Sequence, residues 1–409
     1  MEAKRLRLAG VRRETKRALW PAAVCVAAAL AALFLCPRVA SAQTPVRISL
    51  LRHQLQVVVA SAGGLVVRPY VSGSTPLLSP EVTTVVDVRP QPDGLLIAGT
   101  IQTPDRVLIT PLTDLALTVD AQAYRGSVIV GRDSTASLDV VNNVELEQYL
   151  YSVVGSEVAA STPPAALQAQ AIVARTYAVS RLGSHDELGF DLHAGDRDQA
   201  YNGMNAESQI VVDAVDATRN VVMIYHNQIS QAYYSACDGG YTSDGNALGD
   251  PQPYLRALRD PYCPLSPYMH WSAAVPLAQF VDALNARGVL PSSLRAADVR
   301  DIRAGNADAS GRLLTVIIIT PDGAFTISGT QFRSFAGNSV VKSTRIMALT
   351  LDGNVIRASG AGYGHGVGMC QLGARGMAEQ GLGVYAIINF YYPGVLLTQL
   401  ASERPTRIP

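Results

Sequence analysis

The sequence has little charge and almost no lysine. Charged residues make up 16% of its 409 residues, and Lys342 is the only lysine after position 42. The first 42 residues contain eight of the 33 basic and two of the 33 acidic residues, so the remainder has a formal net charge of −6. Nucleic-acid binding needs a concentrated basic surface. The residues after position 42 are acidic overall and include one lysine, so they form no such surface and we exclude nucleic acid as a partner.

Several catalytic motifs are also missing. The six histidines form neither a His-Glu-x-x-His pattern nor a pair at ligand spacing beside an acid. No Gly-x-Ser-x-Gly elbow of the serine hydrolases is present. The glycine-rich stretch 360–368 lies near the C-terminus, whereas a dinucleotide site needs such glycines early in a βαβ unit. We therefore expect no cofactor.

The first 42 residues have the features of a secretory signal peptide. Seven basic residues between positions 4 and 17 precede an apolar run at 18–36, and Ala40-Ser41-Ala42 follows as a small-residue cleavage site. The alternative is a retained anchor, because 19 apolar residues are just long enough to span a bilayer. In both cases we expect an exported protein of the periplasm or cell wall.

Three cysteines remain after the signal peptide. In an exported protein a disulfide is the natural interpretation of a cysteine pair, and Cys237 and Cys263 both lie in turn-rich sequence. We predict a disulfide between them. Cys370 is left over, and a small buried hydrophobic residue is a better interpretation of it than a reactive nucleophile.

The hydrophobic patterns predict an α+β fold. Short alternating or apolar runs from Val46 to Leu138 are typical of strands, so residues 43–140 form a β-rich N-terminal region. Residues 141–400 mix helices and strands, with 270–350 as a candidate inserted lobe. Three helices are predicted: one at 145–155, one that follows the Ser161-Thr162-Pro163-Pro164 cap and stops at Gly183, and one at 276–288. Hairpins are predicted at 220–236 and 313–335.

Glu157 is the acidic residue with the most unusual surroundings. It lies in the apolar segment Val153–Ala160, between the first two predicted helices. Apolar surroundings favour the neutral carboxyl group and raise its pKa toward the range of a general acid. A capping or salt-bridged glutamate is equally common at such a junction, so the residues alone leave both interpretations open.

Five separated blocks of sequence occur in the order typical of one family. The chain resembles the SpoIID/LytB family, which takes its name from stage II sporulation protein D and an amidase enhancer. The resemblance extends from about Val46 to the Tyr-Tyr-Pro-Gly at 391–394. The blocks are VNNVELEQYLYSVVGSEVAASTPPAALQAQAIVARTYAVSR (141–181), DQAYNG (198–203), YYSACDGGYTSD (233–244), PYLRALRDPYC (253–263) and GYGHGVGMCQLGARGMAEQG (362–381).

The resemblance implies a lytic transglycosylase that acts on peptidoglycan glycan strands already stripped of their peptides. By motif position, Glu157 would protonate the oxygen between MurNAc and GlcNAc and then deprotonate the MurNAc 6-hydroxyl as a 1,6-anhydro ring closes. Because the sugar's own hydroxyl attacks, a second carboxylate is not obligatory. The glycine run would let a bulky polymer approach the backbone closely, and the residues predicted to bind the glycan are Arg175, Tyr177, His365, Gln371 and Arg375.

The resemblance also leaves alternatives. Some members of the family bind zinc through cysteines and a histidine in a block that corresponds to residues 191–203. Both cysteines are absent there in this sequence, so we predict no metal. Other members are described as amidase enhancers, which would make this chain a non-catalytic glycan-binding module whose partner is an N-acetylmuramoyl-L-alanine amidase. The presence of Glu157 in a matching context favours the enzyme.

Overall fold

The structure is a computed structural model that describes residues 44–79, 82–103, 105–263 and 266–400. The predicted signal peptide, 1–42, lies outside the described residues. The described chain forms two compact units. Residues 44–149, Gly183–His193 and the end of the chain from Thr398 make up unit 1, and residues 150–182 and 194–397 make up unit 2.

Unit 1 is built almost entirely of strands, as its alternating sequence predicts. Valines and leucines at every second position, such as Val57 and Val59, are completely buried, which is typical of strands with one face on a core. The strands form two six-stranded sheets, in the orders β12-β1-β11-β10-β7-β3 and β6-β5-β4-β2-β8-β9. They are β1 Pro45–Gln54, β2 Val57–Ala60, β3 Leu65–Pro69, β4 Val85–Gln91, β5 Gly94–Ile97, β6 Ile101–Thr103, β7 Arg106–Pro111, β8 Leu117–Val119, β9 Gln122–Tyr124, β10 Ser127–Arg132, β11 Leu138–Glu145 and β12 Leu192–His193.

Helices and short strands alternate through the rest of the chain, so the predicted α+β class is confirmed. The helices are α1 Leu146–Glu157, α2 Pro164–Arg181, α3 Gln209–Asp216, α4 Leu277–Ala286, α5 Gly329–Ala336, α6 Gln371–Glu379 and α7 Val384–Tyr391. The strands are β13 Val221–Tyr225, β14 Gln228–Ile229, β15 Tyr234–Ser235, β16 Trp271–Pro276, β17 Asp301–Ala304, β18 Thr315–Thr320, β19 Gly323–Ser328, β20 Ile346–Asp352, β21 Val355–Gly360, β22 Met369–Cys370 and β23 Leu396–Gln399.

The two helices predicted around Glu157 are present. The side chain of Glu145 accepts hydrogen bonds from the first backbone N–H groups of α1, which satisfies donors that have no partner within the helix. Pro164 lies in the first turn of α2, where its missing N–H costs nothing. Gly183, with φ of 82°, follows the end of α2 as predicted. The side-chain cap predicted within Ser161-Thr162-Pro163-Pro164 is wrong, because Pro163 is the N-cap residue and no side chain among the described residues caps the helix.

Residues 271–358 share one hydrophobic core. Sheets β16-β21-β20 and β17-β18-β19 contribute to it together with α4 and α5, and the rings of Phe280 and Phe332 lie 5.3 Å apart within it. The predicted hairpin over 313–335 is shorter than expected. Ser328 accepts a hydrogen bond from the N–H of Gln331, and this capping box starts α5 where a strand was predicted.

The segment around Tyr234 also differs from the prediction. The hairpin expected over 220–236 is the pair β13–β14, and it ends at Ile229. Tyr234 and Ser235 form β15, which pairs in parallel with β22 near the C-terminus. None of the helices in the described part of the chain has the length and hydropathy needed to cross a membrane.

Candidate functional site

The carboxyl group of Glu157 lies at the last residue of α1, surrounded by hydrogen-bond donors. Oε1 accepts from the backbone N–H of Ala200 at 2.9 Å and from the hydroxyl of Tyr234 at 3.2 Å. Oε2 has a longer contact of 3.4 Å with Nε2 of Gln371. Residues from three distant parts of the sequence thus meet at one carboxyl group within unit 2.

Burial of Glu157 raises its pKa above the ordinary 4.5, because a half-buried carboxylate loses hydration. The hydrogen bonds from Ala200, Gln371 and Tyr234 act in the opposite direction, and the negative charge of Asp196 raises the pKa further. The net effect is a raised pKa, so part of the Glu157 population keeps its proton at a pH where an exposed glutamate has lost it.

Small residues at the end of α1 allow another segment to pack against it. A Cβ atom at Gly155 would collide with the carbonyl oxygen of Ala206, so only glycine fits there. Asn202 donates its backbone N–H to the hydroxyl of Ser152 at 3.2 Å and its side-chain amide to the hydroxyl of Ser156 at 3.1 Å. These contacts position the 200–206 segment and, with it, the N–H of Ala200 that faces Glu157.

Two glutamines complete the surroundings of the carboxyl group. Gln199 donates from Nε2 to the hydroxyl oxygen of Tyr234 at 2.9 Å, which directs the Tyr234 proton toward Glu157. Nε2 of Gln371 also lies 3.5 Å from Oε1 of Gln170, a residue of α2. Gln170 is 1% exposed, and its own Nε2 has no hydrogen-bond partner among the described residues.

His365 is linked to the Glu157 site by Tyr234. It forms a hydrogen bond with the backbone of Tyr234, whose hydroxyl contacts Glu157. Its Nδ1 accepts the backbone N–H of Val367 at 3.0 Å, so the proton of the neutral ring belongs on Nε2. Burial, together with the positive charges of Arg312 and Arg333, lowers the pKa of His365 to about 4. The imidazole is therefore neutral at pH 7.

The glycine run around His365 serves internal packing. Gly362, Gly364, Gly366 and Gly368 all have positive φ, from 73° to 105°, which favours glycine. A Cβ at Gly364 would press on Ser235, and one at Gly368 would collide with the carbonyl group of Tyr233. Close approach of the protein's own chain therefore requires glycine at these positions, and the open backbone surface for a polymer stays a prediction.

Arg175 lies away from any surface. Its side chain is 0% exposed, and its guanidinium donates to the carbonyl oxygens of Val215 at 3.2 Å and Val221 at 3.1 Å. Val215 lies in the last turn of α3 and Val221 is the first residue of β13, so Arg175 joins the end of this helix to the start of the next strand. The structure therefore differs from the prediction that Arg175 lines a glycan groove, and gives it a structural role.

The two other predicted glycan contacts have different surroundings. Tyr177 is buried and donates its hydroxyl to Asp198 at 2.9 Å, and the guanidinium of Arg181 lies 5.3 Å from its ring centre. Arg375 lies on the outer side of α6, where it pairs with Glu379 at 2.7 Å. Of the predicted contacts, Gln371 is therefore the one whose side chain touches Glu157.

The predicted disulfide between Cys237 and Cys263 is wrong in this structure. Their Sγ atoms are 3.9 Å apart, and both thiols are free and buried. Each sulfur has other partners, since the N–H of Gly239 donates to Cys237 and Cys263 lies 3.2 Å from Oδ1 of Asp238. Among the described residues, these two cysteines, Asp238 and Cys370 form one of two groups that could hold a metal ion.

Sequence reasoning missed most of the residues that surround Glu157. Tyr234, Gln199 and the N–H of Ala200 were not singled out, although they fall inside the blocks 198–203 and 233–244. Nothing in those blocks identifies which side chain faces the carboxyl group. Gln170 was missed because a glutamine within an alanine-rich buried helix has no distinct pattern.

Comparison with known proteins gives consistent matches. The family model described as stage II sporulation protein matches residues 134–225, which include Glu157. An uncharacterised protein of Brachyspira hyodysenteriae is 33% identical over 258 residues, or 63% of this chain and 67% of that protein. Stage II sporulation protein D of Bacillus subtilis is 28% identical over 275 residues, or 63% and 76% of the two chains.

A second relative from Bacillus subtilis has a different name. Its amidase enhancer is 28% identical over 296 residues, which cover 61% of this chain and 40% of the enhancer. This chain therefore spans less than half the length of that relative. The family model and these relatives agree with the ordered blocks of the sequence, and the chain belongs to the stage II sporulation protein D (SpoIID) family.

Proposed function

We propose that this protein is an exported lytic transglycosylase that cleaves peptidoglycan glycan strands between MurNAc and GlcNAc. The observation that carries the proposal is the environment of Glu157, a half-buried carboxyl group whose pKa is raised by burial. A carboxyl group with a raised pKa retains the proton that a leaving-group oxygen needs. The names of the Bacillus relatives, which refer to sporulation and to an amidase, support a role at the cell wall.

The hydrogen bonds around Glu157 support an assignment of this proton to one of the two carboxyl oxygens. Oε1 accepts two hydrogen bonds, from Ala200 and Tyr234, and is thereby occupied as an acceptor. Among the residues that the structure describes, the one polar contact of Oε2 is with Gln371 at 3.4 Å, which is too long to be a strong hydrogen bond. The proton therefore belongs on Oε2, and Oε2 is the atom that transfers it to the substrate.

The reaction needs no second protein carboxylate. Oε2 of Glu157 transfers its proton to the glycosidic oxygen as the bond from that oxygen to C1 of MurNAc breaks. The GlcNAc hydroxyl leaves, and the 6-hydroxyl of the same MurNAc forms a bond to C1. Its proton returns to the Glu157 carboxylate, so the enzyme is regenerated and no water is consumed. The Ala200 and Tyr234 donors stabilise the carboxylate between the two proton transfers.

We place the glycan strand against α6, where Gln371 contacts the acid and Arg375 is accessible one turn further on. The one proton of the neutral His365 is used by the backbone of Tyr234, so we assign His365 the role of positioning Tyr234. Tyr177 donates its hydroxyl to Asp198 and positions that residue. Arg175 has no part in this assignment, because it is completely buried.

The test uses the purified full chain and peptide-free glycan strands. Mass spectrometry should detect fragments with 1,6-anhydroMurNAc ends for the wild type. Glu157→Gln should lower the rate by roughly 10²–10⁴-fold, the contribution of a general acid. Glu187→Gln, which changes an exposed carboxylate of unit 1, is the matched control and should keep full activity. Equal rates for wild type and Glu157→Gln would contradict the proposal.

The name of the amidase enhancer supports a second candidate, a non-catalytic module that binds glycan and stimulates an N-acetylmuramoyl-L-alanine amidase. An amidase assay on intact peptidoglycan separates the two functions. Stimulation that is unchanged in Glu157→Gln, without anhydro ends in either sample, would favour the enhancer. Export itself is tested by fractionation of cells, which should recover the chain outside the cytoplasm.

A further inference from the structure

Three cysteines and one aspartate meet at a single buried point in unit 2. Cys237, Cys263 and Cys370 each contribute one sulfur atom and Asp238 contributes a carboxylate oxygen, and these four atoms all lie within 4.8 Å of one another. The four residues are between 0% and 2% exposed. No step of the proposed reaction uses these four residues.

The fold brings these residues together from three distant segments. Cys237 and Asp238 follow β15, Cys370 ends β22, and the parallel pairing of Ser235 with Cys370 fixes the distance between these two segments. Cys263 comes from a separate loop. Long-range strand pairing, and not sequence proximity, therefore builds the cluster.

The spacing of the sulfur atoms fits metal coordination. Cys237 and Cys263 are 3.9 Å apart at Sγ, whereas a disulfide bond is about 2.05 Å long. Two thiolates bound to one tetrahedral Zn²⁺, each about 2.3 Å from the metal, are separated by about 3.8 Å. The observed separation agrees with two ligands on the same ion.

Backbone N–H groups point at the sulfur atoms. Cys370 accepts from the N–H of Asp238 at 3.4 Å and from the N–H of Gly373 at 3.2 Å, and Cys237 accepts from the N–H of Gly239 at 3.4 Å. Donors aimed at sulfur stabilise the thiolate form, which is the form that binds metal. Two of the three sulfur atoms therefore have donors suited to the anionic form, and the third, that of Cys263, lies 3.2 Å from Oδ1 of Asp238.

Asp238 supplies an independent observation. It is 0% exposed, its Oδ1 accepts the N–H of Gly240 at 2.8 Å, and its Oδ2 has no partner within hydrogen-bond distance among the described residues. The carboxyl group of Asp260 lies near it and adds to the negative charge at this point. An unpartnered carboxylate oxygen in the interior is costly, and a bound cation is one way in which proteins satisfy it. Arg312, also buried, lies beside it and donates to its backbone carbonyl at 2.7 Å.

We propose that Cys237, Cys263, Cys370 and Asp238 form a structural site for one Zn²⁺ ion. Three thiolates and one carboxylate oxygen complete a tetrahedron with no open position, which is typical of structural zinc. Sulfur-rich tetrahedral coordination selects zinc over magnesium, calcium and manganese. The bound ion and Arg312 together oppose the negative charge of the four ligands and of the nearby Asp260, and metal binding releases the thiol protons to solvent.

The proposed ion connects two parts of unit 2 that contribute to the Glu157 site. Cys370 is the N-cap residue of α6, whose first residue, Gln371, contacts Glu157. A metal at Cys370 would fix the start of this helix relative to the loops that carry Cys237 and Cys263. The site is separate from residues 191–203, where the sequence predicted no zinc, and it revises the expectation that the chain holds no metal.

The first test measures the metal content of the full chain in a Cys25→Ser/Cys36→Ser background, which leaves these three cysteines only. Mass spectrometry of the desalted protein should find about one zinc per chain. Cys263→Ser and Cys370→Ser should each lose it. His53→Ala is the matched control, because His53 belongs to the other candidate metal group with Asp133 and Asp139, and this variant should retain zinc. Zinc that is lost in His53→Ala and retained in Cys370→Ser would overturn the proposal.

Two further measurements do not depend on whether the cysteine variants fold. In the same background, denaturation with a chelator and without reductant should expose three alkylatable thiols. A single thiol with a Cys237–Cys263 disulfide would overturn the proposal. Replacement of zinc by Co²⁺ should give intense sulfur-to-cobalt charge-transfer absorption together with strong visible bands of tetrahedral cobalt. A weak spectrum typical of six oxygen or nitrogen ligands would contradict the assignment.

Discussion

The hydroxyl of Tyr234 donates a hydrogen bond to Oε1 of Glu157 across 3.2 Å, and Gln199 in turn donates to the Tyr234 oxygen. This chain of donors holds one oxygen of the carboxyl group as an acceptor. It leaves the other oxygen as the position for the proton. The balance between burial, which raises the Glu157 pKa, and these donors, which lower it, determines the pH range in which the residue is an acid.

Tyr234→Phe should shift the pH dependence of glycan cleavage. Loss of the hydroxyl removes a hydrogen bond that favours the carboxylate, so the pKa of Glu157 rises further. A general acid works in its protonated form, and the rate therefore falls as pH rises through this pKa. We expect the high-pH limb of the rate profile to move up by about one pH unit. Tyr385→Phe, an exposed control, should leave the profile unchanged, and a downward shift in Tyr234→Phe would contradict the assignment.

Arg175→Met should destabilise the protein without a selective effect on glycan binding. The substitution removes a buried donor from the carbonyl oxygens of Val215 and Val221, and the Val215 oxygen keeps its bonds from Thr218. We expect the free energy of unfolding to fall by about 2–4 kcal/mol in denaturant titrations. Arg375→Met should show the reverse pattern, with weaker glycan binding and a stability change within about 0.5 kcal/mol. Selective loss of binding in Arg175→Met would restore its predicted role in the groove.

His365 should make the protein less stable in mild acid. Its pKa in the folded protein is lowered from 6.5 to about 4, mainly by burial and then by Arg312. Between these values the unfolded chain binds a proton that the folded chain does not, so stability is lost as pH falls through this window. We expect His365→Asn to reduce this loss by about 1–3 kcal/mol in unfolding experiments at pH 7 and pH 4. His226→Asn, at an exposed turn, should keep the wild-type dependence.

Gly155→Ala should affect both stability and activity. The added Cβ would collide with the carbonyl oxygen of Ala206, and the segment that supplies the Ala200 N–H must then move away from α1. We expect a loss of about 1–3 kcal/mol in the free energy of unfolding and a slower cleavage reaction. Gly383→Ala is the control, because φ there is −83° and the space beside it is open. Equal stability of wild type and Gly155→Ala would contradict the prediction, because the segment at Ala206 would then move without cost.

Local patterns were sufficient for much of the fold. Alternating valines and leucines predicted the strands of unit 1, and helical spacing with Pro164 and Gly183 at the ends predicted α2 closely. The same patterns were insufficient where a segment pairs at long range. Tyr234 and Ser235 look like the second half of a hairpin, but they form a parallel pair with Met369 and Cys370. A short apolar run does not specify its partner, because both pairings satisfy the same alternation.

The sequence by itself determined that Glu157 lies between two helices in apolar surroundings, that the chain is an α+β protein whose residues after position 42 are acidic overall, and that its ordered blocks resemble one family. Helix ends, burial patterns and motif order depend on neighbouring residues, so they can be deduced from the chain. Only the tertiary structure decided that Tyr234 and Gln371 donate to Glu157, that Arg175 is buried, and that the three thiols meet at Asp238 without a disulfide. These relationships join residues up to 214 positions apart, and packing and long-range strand pairing create them.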